Sequence, residues 1–134
     1  MPLTQLIYIS RPFGFDEPTL DDILLAARTK NAQASITGAL ICRADIYMQM
    51  LEGPRQAVTE TFARILRDDR HLEVQLVHCG DTDDRLFPKW SMRDDPPHSW
   101  MWTQAEVRAG AAREAMAVEA LKVFRRLSTL PQGG

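Results

Sequence analysis

At 134 residues the chain is long enough for one domain with a real core and too short for two. Hydrophobic residues make up 45% and charged residues 25%, the balance of an ordinary globular protein, and the net charge of −2 gives no electrostatic reason to expect nucleic acid or a membrane surface as partner. No charged segment leads into an apolar core and no apolar run approaches ~20 residues, which predicts a cytoplasmic protein without signal peptide or membrane span.

Residues 6–10 read as a first strand, followed by a loop through Arg11-Pro12-Phe13-Gly14. Pro18 and Thr19-x-x-Asp22 resemble a capping box with Asp in place of Glu or Gln, and they predict a helix that starts there. Leu20, Ile23, Leu24 and Ala27 give that helix one apolar face. Residues 36–42 and 46–51 read as two strands, and the short break Arg43-Ala44-Asp45 makes a hairpin the simplest connection. Gly53-Pro54 opens a second helix, with proline where its missing N–H costs nothing, and Val58, Phe62, Ile65 and Leu66 form its buried stripe. Residues 72–79 read as a fourth strand and Trp90-Ser91-Met92 as a short fifth. Cys42 and Cys79, each in a strand-like run and far apart, read as buried free thiols in a reducing cytosol.

The order βαββαβ followed by an extra strand predicts an α+β, ferredoxin-like fold with both helices on one face of a single sheet. Period 2 puts Leu6, Tyr8 and Ser10 on one face of the first strand and Ile7 and Ile9 on the other. In the third strand Tyr47, Gln49 and Leu51 oppose Met48 and Met50. Both faces are apolar, so something must cover the second. Residues 103–127 contain no proline and one glycine, and they place Met116, Ala120, Val123, Phe124 and Leu127 at helical spacing. Arg113, Glu114, Glu119, Lys122 and Arg126 lie largely off that stripe. A C-terminal helix packed on the open face, anchored by Trp100-Met101-Trp102, is the expectation; a partner subunit is the other candidate. Residues 131–134 read as a frayed end.

Chemistry-bearing residues are sparse. His71, His78 and His98 lack metal-ligand spacing, and no serine or cysteine lies in a nucleophile-elbow pattern, so neither a metal centre nor an enzyme is expected. Arg11 reads as a solvated loop arginine before it reads as an anion ligand. Gln49, by contrast, places two donors and an acceptor in the apolar run Ile46-Tyr47-Met48-Gln49-Met50-Leu51, and unpaired amides in a core are costly. Tyr8 sits likewise in Leu6-Ile7-Tyr8-Ile9. Two polar side chains in two core strands point to a ligand pocket. Asn31 at the end of the first helix, with Trp90 and Met92 on one face of the last strand, completes the set. Singly, each also fits a structural role: a paired core tyrosine, a left-handed helix cap at Asn31, an edge glutamine, a core tryptophan.

Five segments in order carry a more specific signal. Leu6-Ile7-Tyr8-Ile9-Ser10, Asn31 followed by Ile36-Thr37-Gly38-Ala39-Leu40, Gln49-Met50-Leu51-Glu52-Gly53, Asp68-Asp69-Arg70-His71, and Arg85-Leu86-Phe87-Pro88-Lys89-Trp90-Ser91-Met92 together resemble a BLUF domain, the blue-light sensor family using FAD. The resemblance implies a flavin-binding photosensory domain over residues 1–95 and a helical cap or output segment over 96–134, as in short, stand-alone members. It places the isoalloxazine between the two helices. Asn31 would hold its O4/N3 edge, Gln49 would bridge Tyr8 and the N5/O4 edge, and Arg64 and Asp68 would approach the pyrimidine side. An i, i+4 ion pair is the plainer role for those last two. Lys30 and His71 would reach the ring edge or ribityl chain. FAD is the implied cofactor, with FMN and riboflavin open because the ring contacts are shared.

The implied photochemistry is electron and proton transfer from Tyr8 by way of Gln49, which rearranges hydrogen bonds to the flavin and red-shifts its absorption. Trp90 and Met92 would be alternative neighbours of Gln49, passing the signal through the fifth strand to the C-terminal helix. The implied partners are an unidentified downstream protein and a second copy of the chain, as a dimer or larger. One departure is visible: family members often carry a serine one turn before the asparagine, where this chain has Ala27 and then Arg28, so a supporting hydrogen bond would be missing. Two other readings exist. An acylphosphatase-like hydrolase using Arg11 and an amide lacks its Gly-rich phosphate cradle here, and a non-photochemical scaffold would have no use for Tyr8, Asn31 and Gln49 together.

Overall fold

The computed structural model describes residues 3–12, 17–43, 45–68, 71–90, 92–95, 101, 103–110 and 117–130. The loop residues Phe13 and Gly14, the proposed anchors Trp100 and Trp102, and the stripe residue Met116 lie outside these. Strands β1 (Leu3–Pro12), β2 (Thr37–Arg43), β3 (Ile46–Pro54), β4 (His71–Thr82) and β5 (Arg93–Asp95) form one sheet in the order β4-β1-β3-β2-β5. The first four are antiparallel to their neighbours and β5 runs parallel to β2. With helices α1 (Glu17–Gln33) and α2 (Arg55–Leu66) between the strands, this is the expected ferredoxin-like architecture. The β-branched and aromatic run of β1 occupies the middle of the sheet, where it pairs on both edges.

Register fixes the centre of the molecule. Tyr8 lies directly opposite Gln49 across β1 and β3, and Leu40 lies opposite Gln49 on the other side. Leu6, Tyr8, Tyr47 and Leu51 face α1 and α2, packing with Ile23, Leu24 and Val58. Ile7, Ile9, Met48 and Met50 face away, against Ala120, Phe124 and Leu127 of a C-terminal helix, α4 (Ala117–Ser128). Burying Phe124 and Leu127 there contributes roughly 1.5–3 kcal/mol each.

Several boundaries differ from the sequence expectation. α1 begins at Glu17, so Thr19 lies within its first turn instead of capping it. Its end is set by Ser35 in the left-handed region, with φ 59°. Asn31 is therefore not the cap but a residue of the last turn, whose carbonyl accepts from the amides of Ala34 and Ile36. On α2 the buried positions are Val58 and Thr61, while Leu66 is exposed. Cys42 is buried as expected; Cys79, on the edge strand β4, is exposed.

The C-terminal region is not one continuous helix. A short α3 (Gln104–Arg108) starts on a complete capping box of Thr103 and Glu106, and Gly110 turns the chain out of helix at φ 97°. The fifth strand also sits three residues later than its hydrophobic signal. Trp90 is committed elsewhere: its N–H donates to the Phe87 carbonyl and its carbonyl accepts from the Gly38 N–H at 3.0 Å. Only glycine fits at 38, because a Cβ would meet the Met50 carbonyl oxygen at 1.9 Å.

A buried carboxylate ties the loop before β5 to the sheet. Glu52, opposite Gln5 on β1, accepts from the Gln5 side-chain amide (3.1 Å), the Leu86 N–H (2.8 Å) and the Phe87 N–H (3.0 Å). Arg85 reinforces the same loop by donating to Thr37 Oγ1, the Ser35 carbonyl and the Glu52 carbonyl. Phe87, thus held, meets Phe124 of α4 edge to face at 6.3 Å.

Candidate functional site

Between α1, α2 and the sheet lies a cavity of about 310 Å³, at the small end of the size typical of small-molecule sites. Ile23, Ala26, Ala27 and Ile65 give it apolar walls. Its polar lining comes from Lys30 and Asn31 on α1, Gln49 on β3, Thr61 and Arg64 on α2, Arg67 and Asp68 just beyond it, and His71 at the start of β4. Helical spacing explains the α1 side, since 23, 26/27 and 30/31 recur once per turn.

The deepest polar groups are Asn31 and Gln49, only 2% and 5% exposed. Gln49 Oε1 accepts a hydrogen bond from the Tyr8 hydroxyl, and its Nε2 donates to Met92 Sδ at 3.2 Å. An amide nitrogen carries two N–H bonds, so one is left for the cavity that Gln49 lines. Tyr8 itself lies behind Gln49, fully buried against Phe62 and His71. Burial pushes its phenol well above the ordinary tyrosine value, and the neighbouring Cys42, Asp68 and Tyr47 add to the rise. Tyr8 is therefore a neutral donor throughout the physiological range.

Around this centre the geometry is firmly set. Ser10 Oγ meets His71 Nδ1 at 2.8 Å, and the His71 ring packs against Tyr47 at 5.0 Å. The His71 N–H donates to the Asp68 carbonyl, which joins the two cavity residues through the backbone. Arg64 donates to Thr61 Oγ1 at 3.3 Å. Arg28 Nε, one turn before Asn31, donates to the Met92 carbonyl at 3.1 Å.

The cavity thus collects Lys30, Asn31, Gln49, Arg64, Asp68 and His71, with Tyr8 and Met92 one contact behind. Trp90 is not part of it: 38% exposed, it leaves Met92, 1% exposed, as the neighbour of Gln49. Arg11 does not line the cavity and is paired with Glu73 at 3.4 Å between two exposed side chains. Ser10, Arg28, Thr61 and Arg67 were not anticipated. Ser10 shares a face with Tyr8 and Arg67 lies one turn beyond Arg64, spacings that would have nominated both. Among the described residues no group of three or more His, Cys, Asp or Glu is placed to hold a metal ion, and no helix is long and apolar enough to cross a membrane.

A ferredoxin-like sheet carrying a cavity with apolar walls and two buried amides has the make-up of a small-molecule site. Residues 3–93 match the family model described as sensors of blue-light using FAD, BLUF, and the chain belongs to that family. The photoactivated adenylate cyclase subunit beta of Euglena gracilis is 39% identical over 94 residues, covering 67% of this chain and 11% of the cyclase subunit. This chain therefore corresponds to a small part of that relative. The structure titled BlrB, a BLUF protein in its dark state, superposes with a TM-score of 0.75 at 30% identity, covering 96% of each chain. The BlsA ground state superposes with a TM-score of 0.84, covering 98% of this chain and 91% of that one, and at 23% identity speaks for the fold alone.

The cavity fits a flavin on its own chemistry. Its apolar walls suit the faces of a tricyclic ring, and Asn31 and the remaining Gln49 N–H suit the ring's carbonyl and imine edge.

Proposed function

We propose that the chain is a blue-light photoreceptor that holds FAD in this cavity and switches through Tyr8, Gln49 and Met92. The observation that carries the reading is the position of Gln49: it lines the cavity while accepting from Tyr8 and donating to Met92. Asn31, Arg64 and Asp68 hold the polar edge of the ring, and Lys30 and His71 its outer edge and chain. FMN and riboflavin share those contacts.

Bound flavin supplies blue absorption and, once excited, an oxidising power that a neighbouring phenol satisfies. The chain's own residues supply the rest. Tyr8, kept neutral by burial, gives up an electron and passes its Oη proton to Gln49 Oε1. Gln49 suits the relay because an amide both accepts and donates. When the electron and the proton both return to Tyr8, the Gln49 amide would be left rotated or in its other tautomer, and its altered hydrogen bonding into the cavity would red-shift the absorption of a flavin held there. No covalent bond forms, so the resting arrangement returns thermally.

The same change is read on the other side. Met92 Sδ can only accept, and an amide turned to present Oε1 has nothing to give it. That is a two-state contact biased by one side chain. The signal then runs through the Met92 segment to the C-terminal residues 96–134, and from there to a separate cytoplasmic protein or a second copy of the chain. The domain acts as a switch and not as an enzyme.

The test is a visible spectrum of the FAD-loaded protein before and after a blue flash. A red shift that decays in the dark, absent in Tyr8→Phe and Gln49→Leu, is the expected result. Bound FAD without a shift in the parent protein, or no FAD bound, would contradict the reading.

A further inference from the structure

We infer that Arg28 is a positioning residue that latches the Met92 segment to α1, and that it sets how much of the Gln49 rearrangement reaches β5. The inference rests on the photoreceptor reading above and adds a residue to its machinery. Met92 is held at two points. Its sulfur accepts from Gln49 Nε2 at 3.2 Å, and its carbonyl accepts from Arg28 Nε at 3.1 Å. One residue later begins β5, a strand of three residues that, among the described residues, pairs only with β2.

So short a strand supplies little holding energy of its own. Release of the sulfur contact leaves the guanidinium-to-carbonyl bond, together with the packing of the Met92 side chain in the helix-facing core, to hold this segment to the helix side of the domain. Guanidinium-to-carbonyl bonds are among the stronger neutral-acceptor contacts, because the donor is charged. Arg28 also sits three residues before Asn31, and i, i+3 positions are neighbours on a helix. Asn31 lines the cavity, so one turn of α1 carries both a cavity contact and the Met92 latch. A shift of α1 and a change at Gln49 therefore converge on the same residue, one through its carbonyl and one through its sulfur.

Arg28 itself is an exposed side chain, and it does not line the cavity. Substitution should leave flavin binding in place. Arg28→Met keeps the aliphatic stem and removes the donor, while Arg28→Lys keeps charge and a donor of different geometry.

The experiment is hydrogen exchange of the FAD-loaded full chain, dark and illuminated, read at residues 93–95, with the flash spectrum recorded on the same samples. In Arg28→Met the red shift persists, dark exchange at 93–95 rises about tenfold, as expected for loss of one hydrogen bond from a charged donor, and the light-minus-dark difference there collapses. Arg28→Lys restores part of that difference, which a purely packing role would not produce. A parent-like light-minus-dark difference in Arg28→Met overturns the inference, and so does loss of FAD binding in that variant, which would make Arg28 a support of the cavity. A parent chain that binds FAD without a red shift would instead remove the photoreceptor reading, and this proposal with it.

Discussion

Tyr8 and Gln49 face each other at the centre of the sheet, and each has what the other needs: a proton to give and an oxygen to accept it. Burial raises the Tyr8 pKa above its value in the unfolded chain, and this has a sign. The stability linked to it is fully present below pH ~10 and is lost as pH rises beyond that, because the unfolded phenol ionises first. Tyr8→Phe should therefore show a shallower loss of stability than the parent above pH ~10, read from urea midpoints across the alkaline range; parallel curves would mean the phenol is not desolvated. At this scale the sequence was informative where chemistry was out of place. An amide in an apolar run and a tyrosine in another were conspicuous without any structure. Ser10 was marked only by the face it shares with Tyr8, and Arg28 not at all, because its partner lies 64 residues away.

The elements follow from periodicity wherever a single face dominates. Alternation in β1 and β3 put Tyr8 and Gln49 each on one face of its strand, the face that α1 and α2 cover, and the stripe with Ala120, Phe124 and Leu127 marked a helix for the other face, where α4 lies. Where backbone commitments decide, periodicity fails. Trp90 is claimed by Gly38 and Phe87, which displaces the fifth strand to Arg93–Asp95, and Gly110 closes a helix that the apolar pattern runs straight through. The lone glycine in that stretch was visible, yet a glycine inside a helical pattern is often tolerated. The docking of α4 rests heavily on Phe124, fully buried and stacked edge to face on Phe87. Phe124→Ala should cost about 3–5 kcal/mol, measured as a lowered urea midpoint. A loss under ~1 kcal/mol, the scale of a surface substitution, would show that α4 is not anchored there.

Across the whole molecule, the segment from Phe87 to Met92 links the two sides of the sheet. Phe87 packs in the core that faces α4, while Met92 packs in the core that faces the cavity. Glu52, with no exposed surface, fixes the first end through the Leu86 and Phe87 amides, leaving Met92, held by Gln49 and Arg28, as the adjustable end. On the proposed function, that arrangement is the route by which light absorbed on one face would reach the helix on the other. The most direct measurement compares light-minus-dark hydrogen exchange over residues 104–128 in the FAD-loaded parent and in Met92→Ala. The account predicts that Met92→Ala keeps the reversible red shift, which needs only Tyr8 and Gln49, but loses most of the exchange difference in the C-terminal helices. An undiminished difference in Met92→Ala would contradict it, since the signal would then be leaving the cavity by another path.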